Sequence, residues 1–332
     1  MNIVRQIFEY SRTAWRAKRA RAHVPDELWR RVCTRYEIPL GKIKYKNNEV
    51  LSVTFAKTTV DFPKTSEAMS VVSAYKLLCE LDAHTACEMS WDQSRNSLKL
   101  AWGRAIYFAD CHEEIYILSE LYFVGDYDLT PCGECVIVDV GANVGFTSIF
   151  LADANPTLVV EGYEPLKLNF DKAERNLIIN PHVANRVNFF NYGLFDADGI
   201  QVISSEVGNR GMSSIVLDRT STATGYVQSE SVKVVRASAV VRSVSKRHPG
   251  RRIAMKMDCE GSEYAIFGEL AESGDLHLID FVVMEWHRLT PTGREVDGLR
   301  DLLEKNGFHL YVRGRLQTLS SAGMAVAFRV PI

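Results

Sequence analysis

The sequence has no apolar run long enough to cross a membrane and no large excess of charge of either sign. Its longest apolar stretches, such as 135–138 and 281–284, are far shorter than the ~20 residues that a transmembrane helix needs. With 39 basic and 41 acidic side chains, the formal net charge is −2, which argues against a general electrostatic attraction to nucleic acid or anionic membranes. We therefore expect no transmembrane segment and no nucleic-acid partner.

Signals for secretion, disulfides and zinc are also missing. Charged side chains interrupt the apolar residues at the N-terminus, and no small-residue cleavage pattern follows them. The 7 cysteines are an odd number scattered along the chain, which is typical of reduced thiols rather than of a disulfide framework. Cys132 and Cys135 form a C-x-x-C pair, but no second Cys or His pair stands at zinc-ligand spacing. These absences favour a cytoplasmic protein.

The chain of 332 residues exceeds the ~100–200 residues of one typical domain, and we divide it into three regions. Residues 1–36 form a basic amphipathic helical segment, with a helix predicted over 3–22. Its apolar face either docks on the rest of the chain or contacts a partner subunit, an anionic substrate or a membrane surface. Residues 37–128 are interpreted as an accessory α+β region, and residues 129–332 as the main domain. Association into a homo-oligomer stays open.

Short apolar strands alternate with helices in the main domain, a pattern typical of a parallel sheet covered on both faces. Strands are predicted at 135–140, 158–163, 187–191, 253–258 and 280–285, a β-rich insertion at 199–236, helices at 237–247 and 295–306, and a terminal strand pair at 308–312 and 325–330. In the accessory region we predict strands within 43–62, at 98–108 and at 114–118, and a helix at 66–81. The fold class is therefore α/β, with a smaller N-terminal α+β region.

The loop after the first strand of this sheet reads Asp139-Val-Gly-Ala-Asn-Val-Gly145. Ligands of open α/β sheets bind beyond the carboxyl ends of the strands, so this loop is the first candidate for a binding site. Gly141 allows the backbone to approach a ligand closely, and Gly145 allows the next helix to pack against the strand. The G-x-x-x-G spacing differs from the G-x-G-x-x-G pattern of dinucleotide sites, and no Lys-Ser/Thr of a phosphate-binding loop follows. The expected ligand therefore has no pyrophosphate group.

Glu164 ends the second strand of the sheet, 23 residues after Gly141. A carboxylate ~20 residues after such a glycine turn binds the ribose hydroxyls in nucleotide sites. Alone, Glu164 could instead cap the following helix. The order of strand, glycine loop, helix, strand and acid favours a cofactor that contains ribose, with Glu164 as the ribose ligand.

Four stretches of the sequence resemble the FkbM-type family of S-adenosylmethionine-dependent methyltransferases, in the order expected for that family. They are Val138-Asp-Val-Gly-Ala-Asn-Val-Gly-Phe-Thr-Ser148, Tyr163-Glu-Pro165, Lys256-Met-Asp-Cys-Glu-Gly-Ser-Glu263 and Met284-Glu-Trp-His287. The lead-in segment at 121–127 is similar as well, and the resemblance extends from about residue 115 to residue 330.

The resemblance implies a class I methyltransferase-like Rossmann sheet, S-adenosylmethionine as methyl donor, and a hydroxyl of a sugar, glycan or secondary metabolite as acceptor. It places the methionine end of the cofactor at Asp139, Gly141, Asn143 and Gly145. Glu164 would bind the ribose, and Asn191, Gly193 and Leu194 would lie at the adenine edge. Where the family has a Thr-Leu-Asp-like step, this chain has Arg236-Ala-Ser-Ala239, which removes one acid and weakens the inference about the acceptor.

Acidic residues and one histidine follow the fourth and fifth strands of the predicted sheet. Methyl transfer to a hydroxyl needs an in-line arrangement of the reacting atoms and a group that takes up the hydroxyl proton. We expect Asp258 to lie nearest the sulfonium and to position the cofactor or the acceptor, with Glu260 and His287 as candidate bases. Glu263 alternatively acts as an acid at a helix N-terminus, and His287 as a loop histidine with satisfied hydrogen bonds.

Three alternatives stay open at this stage. A carboxylate-rich site can hold a divalent metal, but a metal is not favoured and no metal ligand is assigned. A nicotinamide-dependent oxidoreductase is disfavoured by the missing G-x-G-x-x-G pattern. A non-catalytic methyltransferase-like binding module is disfavoured because a pure scaffold has no evident need for Glu164, Asp258, Glu260 and His287 together.

Overall fold

The computed structural model describes residues 35–46, 49–102, 105–108, 114–115, 117–118, 121, 127, 129, 133–206, 209–214, 227–289, 295–313 and 322–329. The described residues divide into two compact units, one ending at Ser119 and the other beginning at Glu120. The helix predicted over 3–22 lies outside the described residues. The division into regions 1–36, 37–128 and 129–332 stays a prediction.

The described part of the first unit contains two small antiparallel sheets, two α-helices and a few further helical residues within 114–118. Its elements are β1 (Ile43–Lys46), β2 (Glu49–Thr54), β3 (Thr59–Asp61), α1 (Thr65–Val72), α2 (Tyr75–His84), β4 (Glu88–Asp92), β5 (Ser97–Ala101) and β6 (Ala105–Phe108). Strands β1, β2 and β3 form one sheet in that order, and β4, β5 and β6 form the other. The inward side chains of both sheets are apolar, for example Val53, Val60, Leu98 and Leu100.

Local details of this unit differ from the sequence prediction. The helix predicted over 66–81 is two helices, because the backbone leaves helical geometry at Ala74 (φ −97°, ψ 14°). The strand predicted over 98–108 is the hairpin of β5 and β6, and β4 was not predicted. Residues 114, 115, 117 and 118 are helical, so the strand predicted at 114–118 is wrong.

The second unit alternates strands and helices around a seven-stranded sheet. Its elements are β7 (Cys135–Val140), α3 (Phe146–Ala154), β8 (Val159–Tyr163), α4 (Lys167–Ile179), β9 (Val187–Phe190), β10 (Gly193–Phe195), β11 (Gly199–Glu206), β12 (Asn209–Ser214), β13 (Val227–Arg236), α5 (Ala237–Arg247), β14 (Arg252–Met257), α6 (Glu263–Glu272), β15 (Phe281–His287), α7 (Glu295–Lys305), β16 (Phe308–Arg313) and β17 (Ala322–Arg329).

The strand order in the large sheet is β16-β17-β15-β14-β7-β8-β9. Strands β15, β14, β7, β8 and β9 are parallel, and β17 lies antiparallel between β15 and β16. This is the class I methyltransferase-like sheet with a terminal antiparallel pair that was expected. The chain runs outward from β7 to β9 and returns on the other side of β7 through β14. The strand order therefore reverses between β7 and β14, where open α/β sheets bind their ligands.

Burial on both faces explains why the central strand is uniformly apolar. All six residues of β7 are buried, as expected for a parallel strand covered by helices on both sides. One face packs against α5, α6 and α7 through residues such as Val241, Phe267 and Leu303. The terminal strand pair adds Ala325 and Ala327 to the same core.

The β-rich insertion predicted at 199–236 forms a separate sheet of order β10-β13-β11-β12. Strand β10, which was not predicted, joins this sheet by pairing in parallel with β13. Leu166, Ile203, Val232 and Val234 form a small apolar cluster beneath it. The insertion therefore stands next to the segment that follows β8. Within the described residues, we find no helix whose length and apolar character would let it span a bilayer.

Candidate active site

The loop after β7 is held in a left-handed backbone conformation at three alternate residues. Gly141, Asn143 and Gly145 have φ values of 77°, 51° and 73°. A Cβ atom on Gly141 would lie 1.9 Å from the carbonyl oxygen of Asp258, so only glycine fits here. The backbone of the segment after β14 thus lies directly against Gly141, and the close approach of a ligand at this residue stays a prediction.

Gly145 lets α3 begin close to the neighbouring elements. A Cβ atom on this residue would lie 2.5 Å from the Phe189 ring and 2.8 Å from the Cβ of Ala173. Phe189 belongs to β9 and Ala173 to α4, so the absence of a side chain at Gly145 allows the packing. The sequence argument gave Gly145 a packing role of this kind.

A buried ion pair supports the loop from below. The Nζ of Lys256 lies 3.0 Å from Asp139 Oδ1 and donates a hydrogen bond of 3.0 Å to the carbonyl of Gly141. The hydroxyl of Ser148 donates to Asp139 Oδ2 at 2.6 Å. Burial disfavours the charged amine, but the carboxylates of Asp139 and Asp258 outweigh it and raise the pKa of Lys256. Asp139 is fully buried, and its predicted contact with a cofactor stays a prediction.

Glu164 connects the end of β8 to the glycine loop. Its two carboxylate oxygens each accept a backbone hydrogen bond of 2.9 Å, one from the amide of Asn143 and one from the amide of Leu166. The residue is 5% exposed. Burial raises the pKa of Glu164 to about 7, although the two amides and the charge of Lys256 oppose the shift. Glu164 is therefore a carboxyl group that changes charge near neutral pH.

A pocket of about 630 Å³, which includes space open to solvent, lies at the carboxyl ends of β7, β8 and β14. Its lining residues are Val140, Gly141, Asn143, Glu164, Pro165, Leu166, Asn169, Gly193, Leu194, Ile203, Asp258, Cys259, Glu260 and Ser262. Seven predicted site residues are among them: Gly141, Asn143, Glu164, Gly193, Leu194, Asp258 and Glu260. Four others, Asp139, Gly145, Asn191 and His287, do not line the pocket itself.

Asn191 acts on the backbone that carries Glu164. Its side-chain amide donates hydrogen bonds of 3.0 and 3.1 Å to the carbonyls of Glu164 and Pro165. Gly193 faces Pro165, since a Cβ atom there would lie 3.4 Å from the proline ring. These two predicted residues thus shape the turn after β8, and only Gly193 reaches the pocket surface.

The sequence argument missed two residues of the lining that have clear physical roles. Asn169, in α4, is buried, and its Oδ1 has no hydrogen-bond partner within the described residues. Its signal was a polar residue four positions before Ala173, on the inward face of a helix that directly follows the predicted ribose acid. Ile203 reaches the pocket from β11, and only the pairing of β11 with β13 reveals this position.

The structure brings Asp258, Glu260 and His287 together at the ends of β14 and β15. One ligand atom from each side chain lies within 4.8 Å of those of the other two. The hydroxyl of Tyr127 donates to Asp258 Oδ2 at 3.3 Å, and His287 Nε2 lies 3.5 Å from Glu260 Oε2. Glu260 has a left-handed backbone conformation, with φ 53°. The three residues predicted to be catalytic therefore form one cluster at the pocket edge.

Glu263, the first residue of α6, orients His287 from behind. The Nδ1 of His287 donates to Glu263 Oε1 at 3.0 Å, because an ionised carboxylate can only accept. Burial lowers the pKa of the imidazole, but the hydrogen bond to Glu263 and the charges of Glu263, Glu260 and Asp258 raise it to about 9. In this state His287 is protonated at neutral pH and cannot accept a further proton. Glu263 thus has a second role besides that of a helix N-terminal acid.

Comparison with known proteins agrees with this geometry. The parallel sheet, the glycine loop and the pocket at the strand ends define a class I methyltransferase-like protein. The family model described as methyltransferase FkbM domain matches residues 139–310, and the chain belongs to this family of methyltransferases.

Individual relatives are more distant. The chain is 24% identical over 264 residues to the AMB antimetabolite synthetase AmbE of Pseudomonas aeruginosa, a match that covers 69% of this chain and 12% of AmbE. The chain therefore corresponds to a small part of that relative. A solved FkbM methyltransferase from Methylobacillus flagellatus KT is 16% identical, with 66% of this chain and 51% of that chain covered and a TM-score of 0.41. Magnesium protoporphyrin IX methyltransferase from Synechocystis PCC 6803, solved with bound SAM, is 14% identical, with 66% and 80% covered and a TM-score of 0.36.

Proposed function

We propose that this chain transfers the methyl group of S-adenosylmethionine to a hydroxyl group of an acceptor molecule. The observation that carries the proposal is the position of Glu164, a buried carboxylate at the pocket surface, directly against the left-handed glycine loop. Each oxygen of Glu164 uses one acceptor position for a backbone amide, and a carboxylate oxygen can accept a second hydrogen bond. The two ribose hydroxyls of the cofactor are suitable donors for these positions.

The remaining polar groups of the pocket fit the same cofactor. The Oδ1 atoms of Asn143 and Asn169 are buried acceptors without a partner among the described residues. Unpaired buried acceptors cost free energy, and a ligand with N–H or O–H donors would satisfy them. We assign Gly141, Asn143 and Gly145 to the methionine end of the cofactor and Gly193 with Leu194 to the adenine end. Asp139 would act through the loop that it supports.

S-adenosylmethionine, when bound, supplies a methyl group on a positively charged sulfur. The chain must then hold the acceptor oxygen in line with that group and take up the hydroxyl proton. Asp258 and Glu260 stand at the pocket edge where the acceptor would lie. We propose that Asp258 positions the acceptor and that Glu260 accepts the proton, because the protonated His287 cannot. His287 would position Glu260 through their charge interaction.

A small hydroxylated metabolite is our preferred acceptor, with a glycan as the alternative. The similarity to part of AmbE, which is named as an antimetabolite synthetase, supports a small-molecule acceptor.

Binding and turnover test the proposal separately. Calorimetry should show binding of S-adenosylhomocysteine but not of NAD. Glu164→Ala should weaken the binding of S-adenosylhomocysteine by about 1–3 kcal/mol through the loss of charged hydrogen bonds. Labelled S-adenosylmethionine should then transfer its methyl group to hydroxylated acceptors. Glu260→Gln should retain cofactor affinity within a few-fold and lower kcat by ~10²–10⁴. Glu272→Gln, at an exposed position in α6, is the matched control.

The outcomes distinguish the alternatives left by the sequence. Comparable affinity for NAD would favour an oxidoreductase and refute the methyltransferase proposal. Cofactor binding without label transfer to any acceptor of the panel would indicate a binding module.

A further inference from the structure

We propose that Asp258, Glu260 and His287 bind one divalent metal ion at the edge of the pocket. Their three ligand atoms lie within 4.8 Å of one another, and they come from the ends of two adjacent parallel strands. Metal bonds of ~2.0–2.2 Å place ligand atoms ~3–4.4 Å apart, so a slight contraction of the cluster is sufficient. The pairing of Met257 with Met284 brings the ends of β14 and β15 together just before Asp258 and His287.

The orientation of His287 is the feature that points to a metal ligand. The side chain is only 7% exposed, and its Nδ1 is held by the carboxylate of Glu263 at 3.0 Å. Its Nε2 faces Glu260 at 3.5 Å, which is longer than a normal N–H···O hydrogen bond of ~2.7–3.2 Å. Metal-binding histidines usually donate one ring N–H to a carboxylate and bind the metal through the other nitrogen. His287 and Glu263 have this arrangement, and a metal ion bound at Nε2 would displace the proton that His287 carries there in the metal-free state.

Excess negative charge favours a cation at the same place. Three carboxyl groups, those of Asp258, Glu260 and Glu263, surround one imidazole. The buried amine of Lys256 interacts with the charge of Asp258 but is paired with Asp139 and donates to the backbone of the glycine loop. Burial makes an unbalanced negative cluster costly, and a divalent cation would offset that cost.

The chemistry of the ligands indicates which cation to test. Carboxylates suit Mg²⁺ and Mn²⁺, whereas an imidazole nitrogen suits the transition metals better than Mg²⁺. Mn²⁺ satisfies both preferences, and three protein ligands leave further positions for water or for the acceptor oxygen. We therefore use Mn²⁺ as the probe.

The catalytic part of this inference rests on the proposed function. A hydroxyl oxygen bound to the metal has a lowered pKa, and one oxygen of Glu260 can bind the metal while the other takes the proton. The acceptor oxygen then forms its bond to the methyl carbon, and the electron pair of the broken carbon–sulfur bond stays on sulfur. The products are a methyl ether, S-adenosylhomocysteine and one proton, which Glu260 returns to water.

Metal binding is tested on the full chain without cofactor. Electron paramagnetic resonance of aqueous Mn²⁺ should show loss of the free-ion signal with a stoichiometry of one per chain. Asp258→Asn, Glu260→Gln and His287→Gln should each raise the Kd for Mn²⁺ by at least about tenfold. Glu272→Gln should leave it unchanged. Unchanged affinity in all three variants, or no binding at millimolar Mn²⁺, would overturn the site.

Each variant also needs a second measurement that would reveal a general loss of structure. Glu260→Gln should bind S-adenosylhomocysteine within a few-fold of wild type, which shows that the pocket is intact while the metal affinity is lost. If His287→Gln fails to fold, Glu260→Gln and Asp258→Asn decide the question alone.

Chelation separates the metal from the proposed activity. EDTA should abolish label transfer, and added Mn²⁺ should restore it, with cofactor binding unaffected. Mn²⁺ binding together with full activity in EDTA would leave the site but overturn its catalytic role. Mn²⁺ binding without label transfer to any hydroxyl acceptor would leave the site and refute the proposed function. Label transfer without any Mn²⁺ binding would support the proposed function and overturn the metal site.

Discussion

Lowering the pH from 8 to 6 should weaken cofactor binding, because Glu164 takes up a proton in this range. With a pKa of about 7, ~90% of the free chains carry a neutral Glu164 at pH 6 and ~10% at pH 8. A neutral carboxyl group cannot accept hydrogen bonds with both oxygens as a carboxylate does. If only the ionised form binds, the Kd rises about tenfold between pH 8 and pH 6, or ~1.4 kcal/mol.

Calorimetry with two ligands measures this effect. S-adenosylhomocysteine contains the whole nucleoside and the amino acid, whereas methylthioadenosine lacks the amino group that could itself titrate. Both should lose affinity toward pH 6, and binding near pH 6 should release close to one proton as Glu164 ionises. Glu164→Gln should bind weakly with no pH dependence, while Asp171→Asn, an exposed change in α4, should behave as wild type.

Stability of the free protein should depend on pH in the opposite direction. The folded-state pKa of Glu164 is about 7 and its ordinary value is 4.5, so the folded chain holds the proton more tightly than the unfolded chain. This group's contribution to stability is present below the ordinary value and is lost as the pH rises through about 7, with a slope of up to ~1.4 kcal/mol per pH unit. In urea unfolding, the free energy of unfolding of the wild type should therefore fall relative to that of Glu164→Gln as the pH rises toward 7. A flat Kd, or the same slope in Glu164→Gln, would refute the role given to Glu164.

Two further substitutions test the support of the site. Gly141→Ala should lower the free energy of unfolding by several kcal/mol more than the control Gly250→Ala. Both glycines have similar left-handed φ values, but of the two only Gly141 has a backbone atom, that of Asp258, within 4 Å of the added Cβ position. Equal melting temperatures of the two variants would contradict this. Glu161→Gln should lower the free energy of urea unfolding by about 1–3 kcal/mol, since it removes the charge of a buried carboxylate that pairs with the half-exposed Arg247, yet leave the Kd for S-adenosylhomocysteine unchanged. A matching loss of cofactor affinity would show that this network also shapes the pocket.

The parallel sheet was predictable because its strands are short apolar runs bounded by clear turns. The bounds of β7 were predicted to the residue, and those of β8 and β14 to within one residue. The hairpin of β5 and β6 was predicted as one strand because apolar residues stand on both sides of Gly103, although this glycine was a turn signal. Strand β10 was missed because three residues are too few for a period to show.

Site residues were predictable where a local pattern identified them, and their surroundings were not. Glu164 followed from its place at the end of a strand, but its raised pKa depends on burial by distant segments. The need for glycine at position 141 was predicted from the approach of a ligand alone, and the sequence did not reveal that a Cβ atom there would also meet the carbonyl oxygen of Asp258, over a hundred residues later. The hydrogen bond that fixes the ring of His287 likewise depends on a contact between the end of β15 and the start of α6.

Left-handed backbone at Asn143 and Glu260 has a consequence for laboratory evolution of this chain. Both residues carry a side chain in a conformation that costs a non-glycine residue ~1–2 kcal/mol, somewhat less for asparagine. Replacing either with glycine would relieve that strain and raise the melting temperature while removing a polar group from the pocket. Selection for heat tolerance alone would therefore tend to erase these two side chains, and a screen that also scores methyl transfer would be needed to keep them.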